Sequence, residues 1–300
     1  MGKQRKSSKW LVNLGFLVLG YAVWQQINRR ASSNPRQAGP APKKPGWAVV
    51  TGASSGIGLE FARQLAPRGY NLVLVARREG RLQALAAEME RDWGISTHVV
   101  AADLSNEDGV TRVEGVIKNT PDLVMLVNNA GFGVEGSFVD GELDDQIKMV
   151  DVHVLAPVQL TRAALPAMLA CRSGSIMNVS SISAFVPGPT SITYSSTKAY
   201  LNNFTSALFM EYRGSGLKFQ ALCPGFTVTE FHDKLEGSRR SRLPRFMWMS
   251  AVEVVRQSLS ALDGGPVVFI PGWINRAIAL VARTPLLTPF VWLGSAMVRR

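Results

Sequence analysis

The sequence predicts a doubly wound α/β fold: a single domain whose parallel seven-stranded sheet is covered by helices on both faces. Short apolar runs, typical of buried strands, alternate along the chain with longer amphipathic runs, typical of helices. A glycine-rich turn joins the first of these strands to the first helix. The chain of 300 residues is long enough for one large domain of this class with appended segments at both ends.

Each predicted strand is followed by a predicted helix, except the last. The strands are predicted at 47–51, 71–76, 97–102, 123–128, 174–180, 217–222 and 267–270. The helices are predicted at 57–67, 79–92, 106–119, 143–170, 194–213 and 251–263. Because strands linked through helices run parallel and are covered on both faces, the strand sequences are expected to be almost continuously apolar, as they are.

An apolar segment near the N-terminus predicts a membrane anchor in residues 1–30. Residues 10–27 contain few polar side chains, and Lys and Arg residues lie on both sides of them. As a helix these 18 residues would span ~27 Å, close to the ~30 Å of a bilayer core. A cleaved signal peptide and a helix lying in the interface are the alternatives, and Arg29 and Arg30 directly after the apolar run disfavour the first.

Two further segments flank the predicted catalytic domain at 47–272. Residues 31–46 form a linker, since four prolines and no large apolar side chain cannot build a core. Residues 273–300 are apolar and basic, and Pro285 and Pro289 divide them into two predicted amphipathic helices. These helices either pack on the domain or make a second membrane contact, and the second alternative is favoured.

The distribution of charge favours membrane lipid as a partner and argues against nucleic acid. The net charge of +11 comes from the two ends: nine of the 33 Lys and Arg residues lie in 1–46 and four in 274–300, where no acidic residue occurs. The remaining 20 face 22 acidic residues, so the domain itself is nearly neutral. Basic ends beside apolar segments are typical of attachment to anionic lipid. Cys171 and Cys223 are expected to be reduced packing residues, and the three histidines are too scattered for a metal site.

The glycine-rich turn indicates a Rossmann-type dinucleotide site. The apolar strand at 47–51 runs directly into a turn that contains Gly52, Gly56 and Gly58, and an amphipathic helix follows. Glycines let the backbone approach a pyrophosphate, while the N-terminus of the helix offers unpaired N–H groups and the positive end of its dipole.

Tyr194 and Lys198 are the candidates for acid–base chemistry. Residues four apart on a helix lie on the same face, so the two side chains are expected to be neighbours. A lysine ammonium beside a phenol lowers the pKa of the phenol and prepares it to exchange a proton near neutral pH. Ser181, thirteen residues upstream of the tyrosine, could donate a hydrogen bond to a carbonyl oxygen at the same point.

Four motifs in order make residues 45–272 resemble the short-chain dehydrogenase/reductase family. They are the T-G-x-x-x-G-x-G run at 51–58, the N-N-A-G run at 128–131, Ser181 with the Y-x-x-x-K run at 194–198, and Pro224-Gly225 with Thr229. The resemblance implies that Ser181, Tyr194 and Lys198 are catalytic. It also implies a set of cofactor-binding residues: Gly52, Ser54, Ser55, Gly56, Ile57, Gly58, Asp103, Asn129, Tyr194, Lys198 and Thr229.

His153 departs from the family pattern. It stands on the long helix before the catalytic serine, where the family usually has an asparagine that is thought to hold a water for a proton relay to the lysine. A histidine could also bind such a water, although it titrates near neutral pH. Alternatively, His153 fills space in the core. Both alternatives stay open, and His153 is kept as a catalytic candidate.

The cofactor is predicted to be NADP(H). NAD sites usually place an acidic residue after the second strand to bind the ribose 2′-hydroxyl, but Arg77 and Arg78 follow the strand here. Guanidinium groups suit a 2′-phosphate.

We therefore expect a membrane-attached oxidoreductase, its catalytic domain on the cytoplasmic side, that interconverts a carbonyl and a secondary alcohol. The variable segment at 229–250 is rich in large apolar side chains and arginines, which suits a lipophilic substrate. A long-chain 3-oxoacyl thioester is the first choice and a steroid or retinoid the second. A membrane-tethered NADP-binding scaffold without turnover is the alternative from another class, and a homodimer is left open.

Overall fold

The computed structural model describes residues 46–134, 137–186, 188, 191–230 and 244–284. The predicted anchor at 1–30, nearly all of the linker and most of the variable segment lie outside these residues. Nine strands are described: β1 Trp47–Thr51, β2 Asn71–Ala76, β3 Thr97–Ala101, β4 Leu123–Asn128, β5 Gly174–Val179, β6 Leu217–Leu222, β7 Thr227–Val228, β8 Met249–Ser250 and β9 Val268–Phe269. Eight α-helices are described: α1 Gly56–Leu65, α2 Glu79–Trp93, α3 Glu107–Asn119, α4 Leu143–Val150, α5 Ala156–Ala170, α6 Ile192–Glu211, α7 Ala251–Ala261 and α8 Trp273–Arg283.

Seven of these strands form one parallel sheet in the order β3-β2-β1-β4-β5-β6-β9. The chain moves outward from β1 to β3 and then returns to the other side of β1 with β4, so the order reverses between β1 and β4. In open sheets of this kind ligands bind at the carboxyl ends of the strands near that reversal. The predicted fold class is confirmed.

The sheet has a hydrophobic core on each face. Along β1, Ala48 and Val50 point to one face and Val49 to the other, as the two-residue period of a strand requires. On the first face α1, α2 and α7 pack, through residues such as Phe61, Leu82 and Val254. On the second face α3, α5 and α6 pack, through residues such as Val113, Leu160 and Leu208. Burial of both faces explains why the strands read as uninterrupted apolar runs.

Local sequence signals set several helix boundaries. Asn106 begins α3 because its side chain accepts a hydrogen bond of 2.8 Å from the N–H of Gly109. Ser250 begins α7 in the same way, through the N–H of Glu253. Gly94, with a φ of 63°, ends α2 in the left-handed conformation that glycine adopts without strain.

The predicted long helix at 143–170 is interrupted by a π-helical turn at Asp151–Leu155, which joins α4 to α5. Among the described residues, Leu143–Ala170 is also the one helical stretch long and apolar enough to cross a membrane. Because α5 packs in the second core, burial within the domain accounts for its apolar composition.

One detail differs from the sequence predictions. Cys223 is buried, and burial raises the pKa of its thiol to about 12, but Cys171 is exposed after α5 and is not a packing residue. Of the two helices predicted in 273–300, α8 is described and the rest of that segment lies outside the described residues.

Candidate active site

The predicted site residues meet at the carboxyl ends of β1, β4, β5 and β6. The glycine turn follows β1, Asn129 follows β4, Ser181 follows β5, and Thr229 lies after β6 and β7. Because parallel strands end at the same edge of the sheet, residues that are far apart in sequence converge here.

The glycine turn has the shape that a dinucleotide requires. Gly52 and Gly56 have φ values of 68° and 57°, and a Cβ added at Gly58 would lie 2.4 Å from the carbonyl oxygen of Gly52. No side chain larger than hydrogen fits at these positions. Ser55 precedes α1 without capping it through its side chain, so the first N–H groups of α1, including those of Gly56 and Ile57, face outward. This cradle fits a pyrophosphate.

The loop after β4 is bound directly to the glycine turn. The Asn129 amide donates a hydrogen bond of 2.8 Å to the carbonyl oxygen of Thr51. The Thr51 hydroxyl in turn accepts hydrogen bonds from the N–H groups of Asn129 and Ala130, at 2.9 and 3.0 Å. Asn129 therefore fixes the backbone at the start of the glycine turn. Thr51, the first residue of the T-G-x-x-x-G-x-G run, was not among the predicted binding residues.

The two arginines after β2 have different surroundings. Arg78 donates hydrogen bonds to the hydroxyls of Ser54 and Ser55, at 3.0 and 2.7 Å, and lies against the glycine turn. Arg77 is more exposed and lies 3.8 Å from the Asp103 carboxylate. Partial burial raises the pKa of Asp103, but hydrogen bonds from Ser105, followed by the charge of Arg77, hold it below its usual value.

Glu230 joins this arginine cluster from the other half of the chain. Its carboxylate accepts hydrogen bonds of 2.8 Å from Arg78 and 2.6 Å from Arg81. These bonds lower the pKa of Glu230 and link the beginning of the variable segment to the turn after β2. Neither Glu230 nor Arg81 was identified from the sequence, because the two residues lie 149 positions apart along the chain.

Ser181, Tyr194 and Lys198 are brought together by β5 and α6. The Ser181 hydroxyl is hydrogen-bonded to the Tyr194 phenol. The Lys198 ammonium lies 5.6 Å from the centre of the Tyr194 ring and donates a hydrogen bond of 2.8 Å to the carbonyl oxygen of Val179. Ser180 holds the backbone of the lysine, because its hydroxyl donates to the Lys198 carbonyl oxygen at 2.8 Å.

Burial changes the acid–base properties of the pair in a way that the sequence analysis did not predict. Burial raises the pKa of Tyr194 to about 12, and the Ser181 hydrogen bond offsets only part of the effect. Burial also lowers the pKa of Lys198 to about 8. The pKa of Tyr194 is therefore higher than the sequence analysis expected, because desolvation outweighs the groups that stabilise the phenolate. At neutral pH the phenol is protonated and able to act as an acid.

Both ring nitrogens of His153 are engaged by other parts of the protein. Nε2 accepts a hydrogen bond of 3.1 Å from the N–H of Phe132, and Nδ1 lies 3.0 Å from the Thr197 hydroxyl. Because that hydroxyl donates to the Tyr194 carbonyl oxygen at 2.9 Å, Nδ1 carries the proton and donates to it. Burial, followed by the nearby Lys198 charge, holds the pKa of His153 well below 6.5. Of the two alternatives for His153, the geometry favours the core histidine over the relay.

A ladder of buried polar side chains supports the catalytic strands. Asn128 and Asn178 are paired in register on β4 and β5, and their side chains are joined by a hydrogen bond of 2.8 Å. The Asn128 amide also donates a hydrogen bond to the Thr161 hydroxyl on α5, and the Asn178 amide donates one to the Thr205 hydroxyl on α6. The N-N-A-G run was the only sequence signal for this ladder.

A hollow beside the Tyr194 phenol has a mixed lining. Side chains from the loop after β4, from α4 and from the start of α6 line it: Val134, Phe138, Gln146, Met149, Ser191, Ile192 and Thr193. Its apolar members can contact the carbon atoms of a substrate close to the acid.

Ser181 lies after β5, and Tyr194 and Lys198 lie near the start of α6, beside the glycine cradle. A family comparison agrees with this arrangement. The short chain dehydrogenase family model matches residues 46–239. The chain belongs to the short-chain dehydrogenase/reductase family. As a member of that family it is an oxidoreductase that acts on carbonyl and alcohol groups.

Similar members of the family include reductases of long acyl chains. A very-long-chain 3-oxoacyl-CoA reductase of Homo sapiens is 31% identical over 255 residues, which is 81% of each chain. A protein with the same name from Laccaria bicolor is 36% identical and covers 74% of this chain and 68% of its own. Among solved structures, a short-chain dehydrogenase from Sphingobium yanoikuyae in complex with NADPH is 32% identical, with a TM-score of 0.73 over 81% of this chain and 95% of that one.

Proposed function

We propose that this protein uses NADPH to reduce the 3-oxo group of a long-chain acyl thioester to a secondary alcohol while attached to a membrane. The observation that carries the proposal is the set of Ser181, Tyr194 and the buried Lys198 beside a glycine cradle with two arginines. The names of the similar proteins from Homo sapiens and Laccaria bicolor support the choice of a long-chain 3-oxoacyl-CoA substrate.

The catalytic residues act on the carbonyl oxygen of the substrate. When bound, NADPH supplies a hydride to the carbonyl carbon. Tyr194, whose pKa burial raises to about 12, holds its proton at neutral pH and transfers it to the oxygen as negative charge develops there. The Ser181 hydroxyl, already hydrogen-bonded to the phenol, donates to the same oxygen. The ammonium of Lys198 stabilises the phenolate that Tyr194 becomes.

Several of the chain's residues are suited to hold NADP(H). The first N–H groups of α1 would hold the pyrophosphate, and Asn129 and Thr229 close the cradle from the other side, since Thr229 lies within 3.2 Å of where a Gly56 Cβ would stand. Arg77 and Arg78 would hold the 2′-phosphate of the adenosine ribose, with Ser54 beside Arg78. The family resemblance implies that Asp103 would contact the adenine and that Lys198 would bind the nicotinamide ribose.

Apolar side chains near Tyr194 and in the variable segment support a lipophilic substrate. Val134, Phe138 and Met149 line the hollow beside the phenol together with polar residues, and they can contact carbon atoms next to the carbonyl. The sequence at 229–250 adds large apolar side chains for the acyl chain and four arginines that can meet the phosphates of the thioester carrier.

The proposal is tested by NADPH oxidation with purified full-length protein and a panel of carbonyl substrates. The panel contains a long-chain and a short-chain 3-oxoacyl-CoA, a steroid ketone and retinaldehyde, and the Tyr194→Phe protein is the control. We expect the highest kcat/KM with the long-chain thioester. A preference for the steroid or retinaldehyde would contradict the substrate proposal, and no turnover with any carbonyl would favour the scaffold.

Membrane attachment is expected to come mainly from residues 1–30. Burial of the apolar segment is the large contribution, while each flanking Lys or Arg adds ~1 kcal/mol near anionic lipid. Washing membranes with high salt or carbonate should therefore leave the full-length protein bound, because salt screens only the second contribution. A shortened chain that begins at Lys43 should still reduce a water-soluble ketone. Intact full-length protein in the soluble fraction would contradict the anchor.

A further inference from the structure

Helix α8 presents large apolar side chains to solvent on one face. Trp273 is 78% exposed, Leu280 is 57% exposed and Val281 is 38% exposed, and all three lie on the side opposite Asn275 and Ala279, which are buried. Ala277 lies among them at the centre of the exposed face. We name this surface, formed by Trp273, Ala277, Leu280 and Val281, the α8 outer face. A contiguous apolar surface of this kind on a folded domain indicates an interaction site.

The buried side of α8 is firmly attached to the domain. Asn275 donates a hydrogen bond of 2.9 Å to the carbonyl oxygen of Pro271, and its side chain lies against Gly225. At the start of the helix, Gly272 donates to Gln257 of α7 at 3.0 Å. The outer face is therefore held in a fixed orientation relative to the sheet.

The charged residues of α8 are both arginines. Arg276 and Arg283 project along one edge of the face, where their guanidinium groups lie 5.7 Å from the Phe269 ring and 4.0 Å from the Phe185 ring. No acidic residue occurs in 264–284 or in the remaining sequence to residue 300. An apolar face bordered by arginines complements a bilayer with anionic headgroups, since the rings and aliphatic chains enter the acyl region while guanidinium groups meet phosphates.

The α8 outer face also lies close to the catalytic residues. α8 packs on the short 3₁₀ turn Ile182–Phe185, which directly follows Ser181. Asn275 contacts Met249 of β8, the strand with which the variable segment ends. The surface that would meet a bilayer is therefore next to the walls of the proposed substrate site.

We propose that the α8 outer face docks on the surface of an anionic bilayer and turns the substrate entrance toward the lipid. The inference rests on the proposed function, because it assigns an entry route to the lipophilic substrate. An acyl chain that enters from the bilayer does not have to cross water, where its exposure would cost about 0.8 kcal/mol per CH₂ group.

The docking is tested with an environment-sensitive nitrobenzoxadiazole label on full-length protein reconstituted in vesicles. Cys171 is first replaced by Ser, because it is exposed, whereas Cys223 is buried and unreactive. The label is placed at Ala277→Cys on the outer face, or at Ala87→Cys on α2 as the matched control. Both are exposed alanines, and they lie on helices at opposite ends of the sheet order. The vesicles contain phosphatidylglycerol and phosphatidylcholine with a spin label on its acyl chain.

We expect the emission at position 277 to shift to the blue and to be quenched at least about twofold by the spin-labelled lipid, while position 87 changes little. Arg276→Glu with Arg283→Glu should remove most of the quenching at 277. Equal, unquenched emission at both positions would overturn the proposal. A blue shift without lipid quenching would also overturn it, because a second copy or residues 285–300 would then cover the face.

Activity measurements separate this inference from the proposed function. Trp273→Ser with Leu280→Ser should lower kcat/KM about tenfold for a long-chain substrate supplied in vesicles and leave the reduction of a water-soluble ketone unchanged. Quenching at 277 in a protein without reductase activity would retain the docking and reject the proposed function. Full reductase activity without quenching at 277 would retain the proposed function and reject the docking.

Discussion

The two halves of the sheet build their parts of the active site from different materials. In the first half, β1 to β4, the cofactor side consists largely of backbone: the turn with Gly52, Gly56 and Gly58, and the N–H groups at the start of α1. In the second half, β5 to β9, the catalytic side consists of side chains, the half-buried Tyr194 and the buried Lys198, whose pKa values desolvation shifts in opposite directions.

The difference determines what each half tolerates. A backbone cradle fails when any side chain is added, but its function does not depend on protonation. A catalytic acid–base pair depends less on the volume around it than the cradle does. It depends instead on the solvation and charge of its two groups. Substitutions should therefore alter cofactor binding in the first half and the chemical step in the second.

The largest effect is expected from removing the proton donor of the catalytic half. Tyr194→Phe should lower kcat by at least about 10²-fold, the scale of a lost general acid. Binding of NADPH, measured by fluorescence titration, should stay close to that of the wild type. Turnover near the wild-type value in this variant would reject the proposed acid.

The next effect concerns the choice of cofactor. Arg77→Asp removes a partner of the 2′-phosphate and adds a repulsive charge, so the ratio of kcat/KM for NADPH to that for NADH should fall about 10- to 100-fold, the scale of a charge-assisted hydrogen bond. Arg78→Asp should have the same direction of effect, and Arg91→Asp, at an exposed site on α2, is the control. A wild-type protein that already prefers NADH would contradict the assignment.

A smaller effect is expected from filling the glycine cradle. In Gly58→Ala the new Cβ would lie 2.4 Å from both the Gly52 carbonyl oxygen and the Asn129 amide nitrogen, so the turn must shift. The displacement should cost about 1–3 kcal/mol, seen as roughly tenfold weaker NADPH binding and a lower Tm. Gly80→Ala is the matched control, because nothing lies within 4 Å of its added Cβ. Equal NADPH affinity and equal Tm in the two variants would show that the cradle has room for a side chain at position 58.

The mildest prediction concerns pH. Burial lowers the pKa of Lys198 from 10.5 to about 8, so its ammonium loses its proton as pH rises through about 8, and kcat/KM for reduction should fall above that point. His153 should add no step near neutrality, because burial holds its pKa well below 6.5. The measurement is kcat/KM against pH with saturating NADPH. A profile that is flat to pH 9 would indicate that the charge of Lys198 is not required.

The sequence allowed the cofactor half to be predicted more completely than the catalytic half. All seven strands of the sheet were located to within about two residues, because each is an apolar run bounded by turn residues, and the glycine turn is a local motif. The contacts of His153 could not be predicted, since they depend on a π-helical turn that no periodicity reveals. The link from Glu230 to Arg78 and Arg81 was likewise missed, because it depends on tertiary structure alone.

The closeness of Gly131 and His153 also bears on how this sequence can change. A Cβ added at Gly131 would stand 2.7 Å from Nε2 of His153, so the imidazole ring itself forbids a side chain at the last position of the N-N-A-G run. The two positions are therefore sterically coupled, and a larger residue at 131 would require a smaller one at 153.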